Sequence, residues 1–111
     1  MANKGNYYKG RTKEWFLERG YACDFVERYR RIFKDGTIIH LKQDLFGADG
    51  IAMNGREIIF WNSKFGTASD TEGIKEMLRF PYPSFVKRWI VHWQLRAREP
   101  KIIDVGEAVR I

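Results

Sequence analysis

Cysteine is nearly absent from this chain: Cys23 is the only one among 111 residues. A lone thiol excludes an internal disulfide framework and a cysteine-built zinc site, and it suits a reducing cytoplasm. With no neighbouring histidine or second cysteine, Cys23 is expected to be inert. Histidine is almost as scarce. His40 and His92 stand singly on predicted strands, without metal-ligand spacing, and are expected in the core or at the surface. No apolar run approaches the roughly 20 residues of a membrane span. The opening MANKGNYYKGR is too polar for a secretory leader. No repeat, low-complexity tract or linker divides the chain, so one domain over residues 1–111 is expected.

What is present is apolar and basic. Hydrophobic residues make up 44% and aromatics 15%, enough to build a core. The net charge is +6 and the pI about 9.6. Residues 1–43 hold ten lysines and arginines against five acids; residues 44–111 hold ten against nine. A face so biased suits a polyanion such as DNA or RNA, although many small basic proteins bind none. Arg28, Arg30, Arg31, Lys34 and Lys42 fall on one predicted hairpin and would make phosphate contacts, and Lys9 and Arg11 would add to them from an N-terminal arm. Trp15, Trp61, Trp89 and Trp93 are most simply core.

Tyr8, Thr12, Trp15 and Phe16 have helical spacing, which predicts a helix over residues 7–19 ended by Gly20. Residues 21–33 and 37–41 read as the strands of a long basic hairpin turning at Asp35-Gly36. Residues 51–53 and 58–61 read as a second hairpin around Asn54-Gly55. Ser69-Asp70-Thr71-Glu72 is a capping box, so a helix is expected over 70–79 with Ile74, Met77 and Leu78 inward, stopped by Pro81 and Pro83. Strands over 89–95 and 101–105 complete an α+β layer fold.

The second hairpin carries the chemistry. Gly47 and Gly50 bracket Asp49 and permit a close backbone approach. If the strands pair, Asp49, Asn62 and Lys64 converge at one end of a sheet. A carboxylate, a second oxygen donor and a lysine are the minimal set for metal-assisted phosphodiester cleavage. The plainer readings are a turn aspartate and a strand-end lysine reaching solvent. Asp44 either caps the preceding loop or adds a second acid. Glu57 has the opposite parity to Asn62 and is expected in solvent.

The segment DLFGADGIAMNGREIIFWNSK resembles the core of the PD-(D/E)XK nuclease superfamily, which includes restriction-endonuclease-like enzymes and archaeal Holliday junction resolvases. In that pattern an aspartate on one strand is followed, after a hairpin, by an acid-x-lysine on the next. Asp49 matches the aspartate and Asn62-Ser63-Lys64 the second element, with an amide where the pattern has an acid. KGRTKEWFLERGY is similar to the family's first helix, and Glu14 matches the glutamate often found there. The resemblance implies an α+β fold of three-layer α/β type, a restriction-endonuclease-like core in which helices flank a mixed sheet. It also implies a Mg²⁺- or Mn²⁺-dependent endonuclease on DNA, with branched DNA as a substrate of the resolvase kind. Asp49, Asn62 and Glu14 would hold the metal, and Lys64 would assist catalysis. A core this small cannot surround a duplex, so a homodimer is expected, and no membrane partner is. The amide at Asn62 leaves a second reading open, a non-catalytic nucleic-acid-binding domain on a decayed nuclease fold. A third is a module whose hairpin contacts an acidic protein. The small size is compatible with a viral or mobile-element origin.

Overall fold

The structure, a computed structural model, describes residues 4–26 and 28–108; at 28–30, 32, 40–43 and 108 it describes the backbone only. Helix α1 spans Lys4–Glu18, starting earlier than the apolar stripe suggests. Tyr8, Thr12 and Phe16, one per turn, are its buried residues. Gly20 ends it at φ 85°, its N–H donating to the Leu17 carbonyl at 3.1 Å.

The expected single strand over 21–33 is two strands. β1 (Ala22–Phe25) joins the main sheet, and β2 (Arg28–Lys34) pairs with β3 (Thr37–Gln43) in a separate two-stranded ribbon. The break follows from pairing. The Val26 N–H donates to the Asp49 carbonyl at 3.0 Å, the last bond of β1 along β4 (Gly50–Met53). The ribbon turns at Asp35 and Gly36, both at positive φ, as the Asp-Gly pair predicts.

β4 pairs antiparallel with β5 (Ile58–Phe65). Their connection is wider than a two-residue turn. Asn54 folds its side chain back, and Oδ1 accepts from the N–H groups of Arg56 and Glu57, both at 3.0 Å. Helix α2 (Asp70–Leu78) starts as the capping box predicts, the Ser69 hydroxyl accepting from the Glu72 N–H at 3.4 Å. It carries the chain to β6 (Lys87–Trp93), parallel to β5. β7 (Lys101–Asp104) is antiparallel to β6, and a short helix α3 spans Val105–Ala108. The sheet order is β1-β4-β5-β6-β7.

This is the expected three-layer arrangement. Ala52, Ile59, Trp61, Val91 and Trp93 pack with Tyr8 and Phe16 of α1 on one face. Ala48, Ile90, Met77 of α2 and Val105 of α3 pack on the other. Strand alternation therefore puts Ile59, Trp61 and Ser63 under α1, and Phe60, Asn62 and Lys64 toward α2. In α2 the inner positions are Gly73 and Met77, whereas Leu78, expected inside, is exposed.

Glu57 departs from its expected place in solvent. Lys87 Nζ lies 2.6 Å from Oε2 and the Tyr21 hydroxyl donates to Oε1 at 2.6 Å. The Lys87 ammonium first, and then the Tyr21 hydrogen bond, hold its carboxyl below the usual range. A lowered folded pKa contributes stability above the ordinary glutamate value near 4.3, and that contribution is lost as pH falls through the lowered value. Glu57→Gln is expected to reduce stability at pH 7 by about 1 kcal/mol, since Lys87 is half exposed. Urea unfolding as a function of pH should show the gap to wild type closing below pH 4.

Candidate active site

Asp49 is buried, with 4% of its surface exposed, at the sheet end where β4 begins. Its own N–H donates to the Trp61 carbonyl at 2.8 Å, and the Gly50–Trp61 pairing sets it opposite Asn62. A carboxylate in that position needs partners. Oδ2 accepts from the Ser63 N–H at 2.8 Å, and Lys9 of α1 brings its ammonium to 3.7 Å from Oδ1. The two glycines that bracket it are needed for different reasons. Gly47 has φ 77°, and a Cβ there would stand 3.0 Å from the Glu76 backbone of α2. A Cβ on Gly50 would stand 2.1 Å from the Trp61 ring.

Asn62 is 5% exposed. Its Nδ2 donates to the Gly47 carbonyl at 2.9 Å. That carbonyl can only accept, so it decides which end of the amide is nitrogen. Oδ1 is left buried with no hydrogen-bond partner among the described residues. An orphaned oxygen on the residue opposite a buried carboxylate is the kind of donor a hard cation uses. Mg²⁺ takes one or two carboxylates, substrate phosphate and water, so Asp49 with Asn62 Oδ1 fits such an ion. The described residues contain no group of three or more His, Cys, Asp or Glu suited to a metal, so the fit rests on this mixed pair.

Lys64 is half-buried and shares the α2-facing side of β5 with Asn62. Its Cε lies 3.2 Å from where a Gly73 Cβ would stand, so the missing side chain in α2 gives the lysine its channel. Beside it on β6, in register, is His92. His92 is buried, with Nδ1 2.5 Å from Asp70 Oδ1 and Nε2 2.7 Å from the Gly66 carbonyl. It ties the first residue of α2 to the turn after β5 and so frames Lys64. The isolation of His92 in the sequence gave no sign of this, because Asp70 lies 22 residues away.

The remaining expected site residues are placed as follows. Glu14 is exposed on α1, about 140° around the helix from Lys9; the side chain that α1 brings to Asp49 is Lys9. Asp44 is exposed and borders a surface depression with Glu76 and Arg79, ahead of the Leu45–Ala48 bridge. Arg11 donates to the Ala97 carbonyl at 3.1 Å and its guanidinium lies 4.3 Å from the centre of the Trp93 ring. Arg31 and Lys34 are exposed on the ribbon. Arg28, Arg30, Lys42 and His40 have backbone positions there, and their side chains lie outside the described residues. Lys9 is the member of the site that sequence reading placed elsewhere, among the phosphate contacts. The helical stripe contained the signal for Lys9, which follows Tyr8 and lies one turn before Thr12, itself 3.3 Å from the Ser63 hydroxyl.

Among the described residues, no helix is long and apolar enough to cross a membrane. No protein-family model matches the sequence, and no curated protein matches it. A solved structure does match: the Holliday junction resolvase Hjc of Archaeoglobus fulgidus, with a TM-score of 0.63 and 15% identity over 94% of this chain and 75% of that one. The chain therefore has the restriction-endonuclease-like fold of an archaeal Holliday junction resolvase.

Proposed function

We propose that this protein is a metal-dependent DNA endonuclease that hydrolyses phosphodiester bonds, with branched DNA as its substrate class. The observation that carries the reading is the buried Asp49 carboxylate set opposite the orphaned Asn62 oxygen, with Lys64 on the same strand face. The likeness to a junction resolvase supports the substrate class at the level of fold.

The chain's own groups divide the work. The Ser63 N–H fixes the Asp49 carboxylate and the Gly47 carbonyl fixes the Asn62 amide, so both oxygens are oriented before substrate arrives. When bound, Mg²⁺ or Mn²⁺ supplies Lewis acidity to the scissile phosphate and the attacking water. Lys64, channelled over Gly73, offers its ammonium to the charge that develops on the phosphoryl oxygens. Lys9 holds positive charge at Asp49 while no cation is there. Arg31 and Lys34 with positions 28, 30 and 42 of the ribbon, and Lys9 and Arg11 of α1, contribute phosphate contacts. A chain this small does not surround a duplex, so a two-fold dimer is part of the proposal; it would deliver paired nicks.

The direct test is incubation with linear duplex, single-stranded and four-way-junction DNA in Mg²⁺ or Mn²⁺ against EDTA. Metal-dependent cutting that favours the junction supports the reading. A second reading, a DNA-binding protein on a decayed nuclease fold, is favoured by the amide at Asn62 and by the Lys9 contact to Asp49. It is the conclusion if wild type binds DNA equally in EDTA and never cuts.

Asn62→Asp tests the cation site without a cleavage assay. The new carboxylate meets the Gly47 carbonyl, which offers no proton, so the metal-free variant should lose about 1–3 kcal/mol. A bound cation would relieve that conflict. The expected outcome is a lower Tm in EDTA and a larger Mn²⁺-induced rise in Tm than in wild type. Equal Tm in EDTA and Mn²⁺ would remove the metal from the proposal.

A further inference from the structure

Next to the candidate site is a second feature that cleavage does not use. Phe46, Phe60, Phe80, Pro81, Tyr82, Pro83 and Val86 line an open apolar pocket of about 280 Å³. That is just under the roughly 300 Å³ at which small-molecule sites begin, the size for one ring system. Its walls are aromatic and mutually braced. The Phe60 and Tyr82 rings are 5.0 Å apart, Phe46 and Phe80 5.5 Å, all edge to face. The Tyr82 hydroxyl donates to the Phe46 carbonyl at 2.7 Å, and burial pushes its phenol up to about 12, so it keeps that proton. The Arg88 guanidinium stands 5.3 Å from the Tyr82 ring.

The position of the pocket identifies its occupant. Phe60 precedes Asn62 by two residues on the same face of β5, a step of about 6.6 Å. Phe46 precedes Gly47, whose carbonyl holds Asn62. A nucleotide with its phosphate at Asp49 and Asn62 has its base within reach of the pocket, and Arg88, in register with Phe60 and over the Tyr82 ring, brings a positive charge to the pocket wall. The lining has almost no polar atoms, which suits stacking and gives no means of reading base edges. We propose that this pocket receives one unstacked DNA base adjacent to the phosphate held at the candidate site, without preference among the four bases. The inference rests on the DNA reading above. It implies that the protein favours DNA in which a base is already unpaired, because extracting a paired base costs free energy.

The test uses the full chain with two duplexes that differ by one extra, unpaired 2-aminopurine, in Ca²⁺, a hard cation able to bridge the phosphate to Asp49 and Asn62, and at fixed salt. Wild type is expected to bind the bulged duplex about tenfold more tightly, the scale of one base–aromatic stack, and to quench the 2-aminopurine fluorescence. Phe80→Ala opens the pocket and Val86→Phe fills it. Both are expected to bind the paired duplex like wild type while losing the tenfold preference and the quenching; melting curves establish that each is folded. Equal binding of the two duplexes by wild type, or a preference that survives in either folded variant, overturns the pocket. Failure to bind either duplex at low salt overturns the DNA reading, and the pocket proposal with it.

Discussion

Asp49→Asn is expected to abolish Mg²⁺-dependent cleavage while leaving DNA affinity nearly unchanged. The substitution keeps the volume of the side chain, and its amide oxygen can still accept from the Ser63 N–H, so β4 and β5 stay joined. What disappears is the negative charge set opposite Asn62 at the sheet end. Two amide oxygens are a poor set for a hard divalent cation. The loss in turnover should therefore exceed the 10²–10³-fold typical of removing one oriented electrostatic group. Lys64→Ala tests the other half of the pair. Its loss should lie within that range, since the amine acts on developing charge and not on metal retention. Asp49 is an anion and contributes no phosphate contact, so the slope of log affinity against log salt should match wild type in Asp49→Asn, whereas removing the Lys64 ammonium should lower that slope by about one. A variant that loses cutting and keeps the slope locates the defect in chemistry. Cutting that survives Asp49→Asn would remove this site from the mechanism altogether.

The parts of this site that were legible in the sequence depend on local geometry. Asp49 and Asn62 face each other because the Asn54-Gly55 loop sends the chain straight back, and strand parity then adds Lys64 to the same face. Ser69 and Glu72 mark the start of α2 by their own hydrogen bond. The parts that were hidden depend on register between remote segments. Residues 21–33 look like one strand because Val26 and its neighbours are as strand-like as the residues on either side. That β1 pairs along β4, down to the Val26 bond to Asp49, while β2 pairs with β3 is decided by register and not by composition. Gly73 looks like a flaw in a helix, which the missing side chain explains once β6 is laid parallel to β5 and Lys64 needs the space. His92 and Asp70 meet across the same parallel crossover. Glu14 and Lys9 are both polar residues on one helix; Lys9 borders the buried stripe of Tyr8, Thr12 and Phe16, and the seat of α1 on the sheet then turns it toward Asp49.

Gly50→Ala is expected to be the most destabilising single methyl group that could be added near the site. The reason is space. The new Cβ would lie 2.1 Å from Trp61 Cζ2, 2.4 Å from Cε2 and 2.7 Å from the Asp24 carbonyl oxygen. Neither neighbour can give way cheaply. Trp61 is fully buried, with Phe16 and Phe25 rings at 6.2 and 6.1 Å, and the Asp24 carbonyl belongs to β1, paired along β4. Overpacking of this kind costs typically 1–3 kcal/mol, and a clash with backbone on one side and a buried indole on the other belongs at or above the upper end. For a domain of this length about 3 kcal/mol lowers Tm by more than about 10 °C. Gly10→Ala is the matched control. It lies within α1, and its Cβ would meet nothing within 4 Å, so reduced backbone freedom in the unfolded chain should stabilise it by about 0.5–1 kcal/mol. Thermal unfolding of the pair in EDTA should show shifts of opposite sign. The same displacement of Trp61 acts on its neighbour Asn62, and that of Gly50 on its neighbour Asp49. Any folded Gly50→Ala protein should therefore also give a smaller Mn²⁺-induced rise in Tm than wild type. If that rise is unchanged while stability falls, the two oxygens are held in place independently of the Gly50–Trp61 contact.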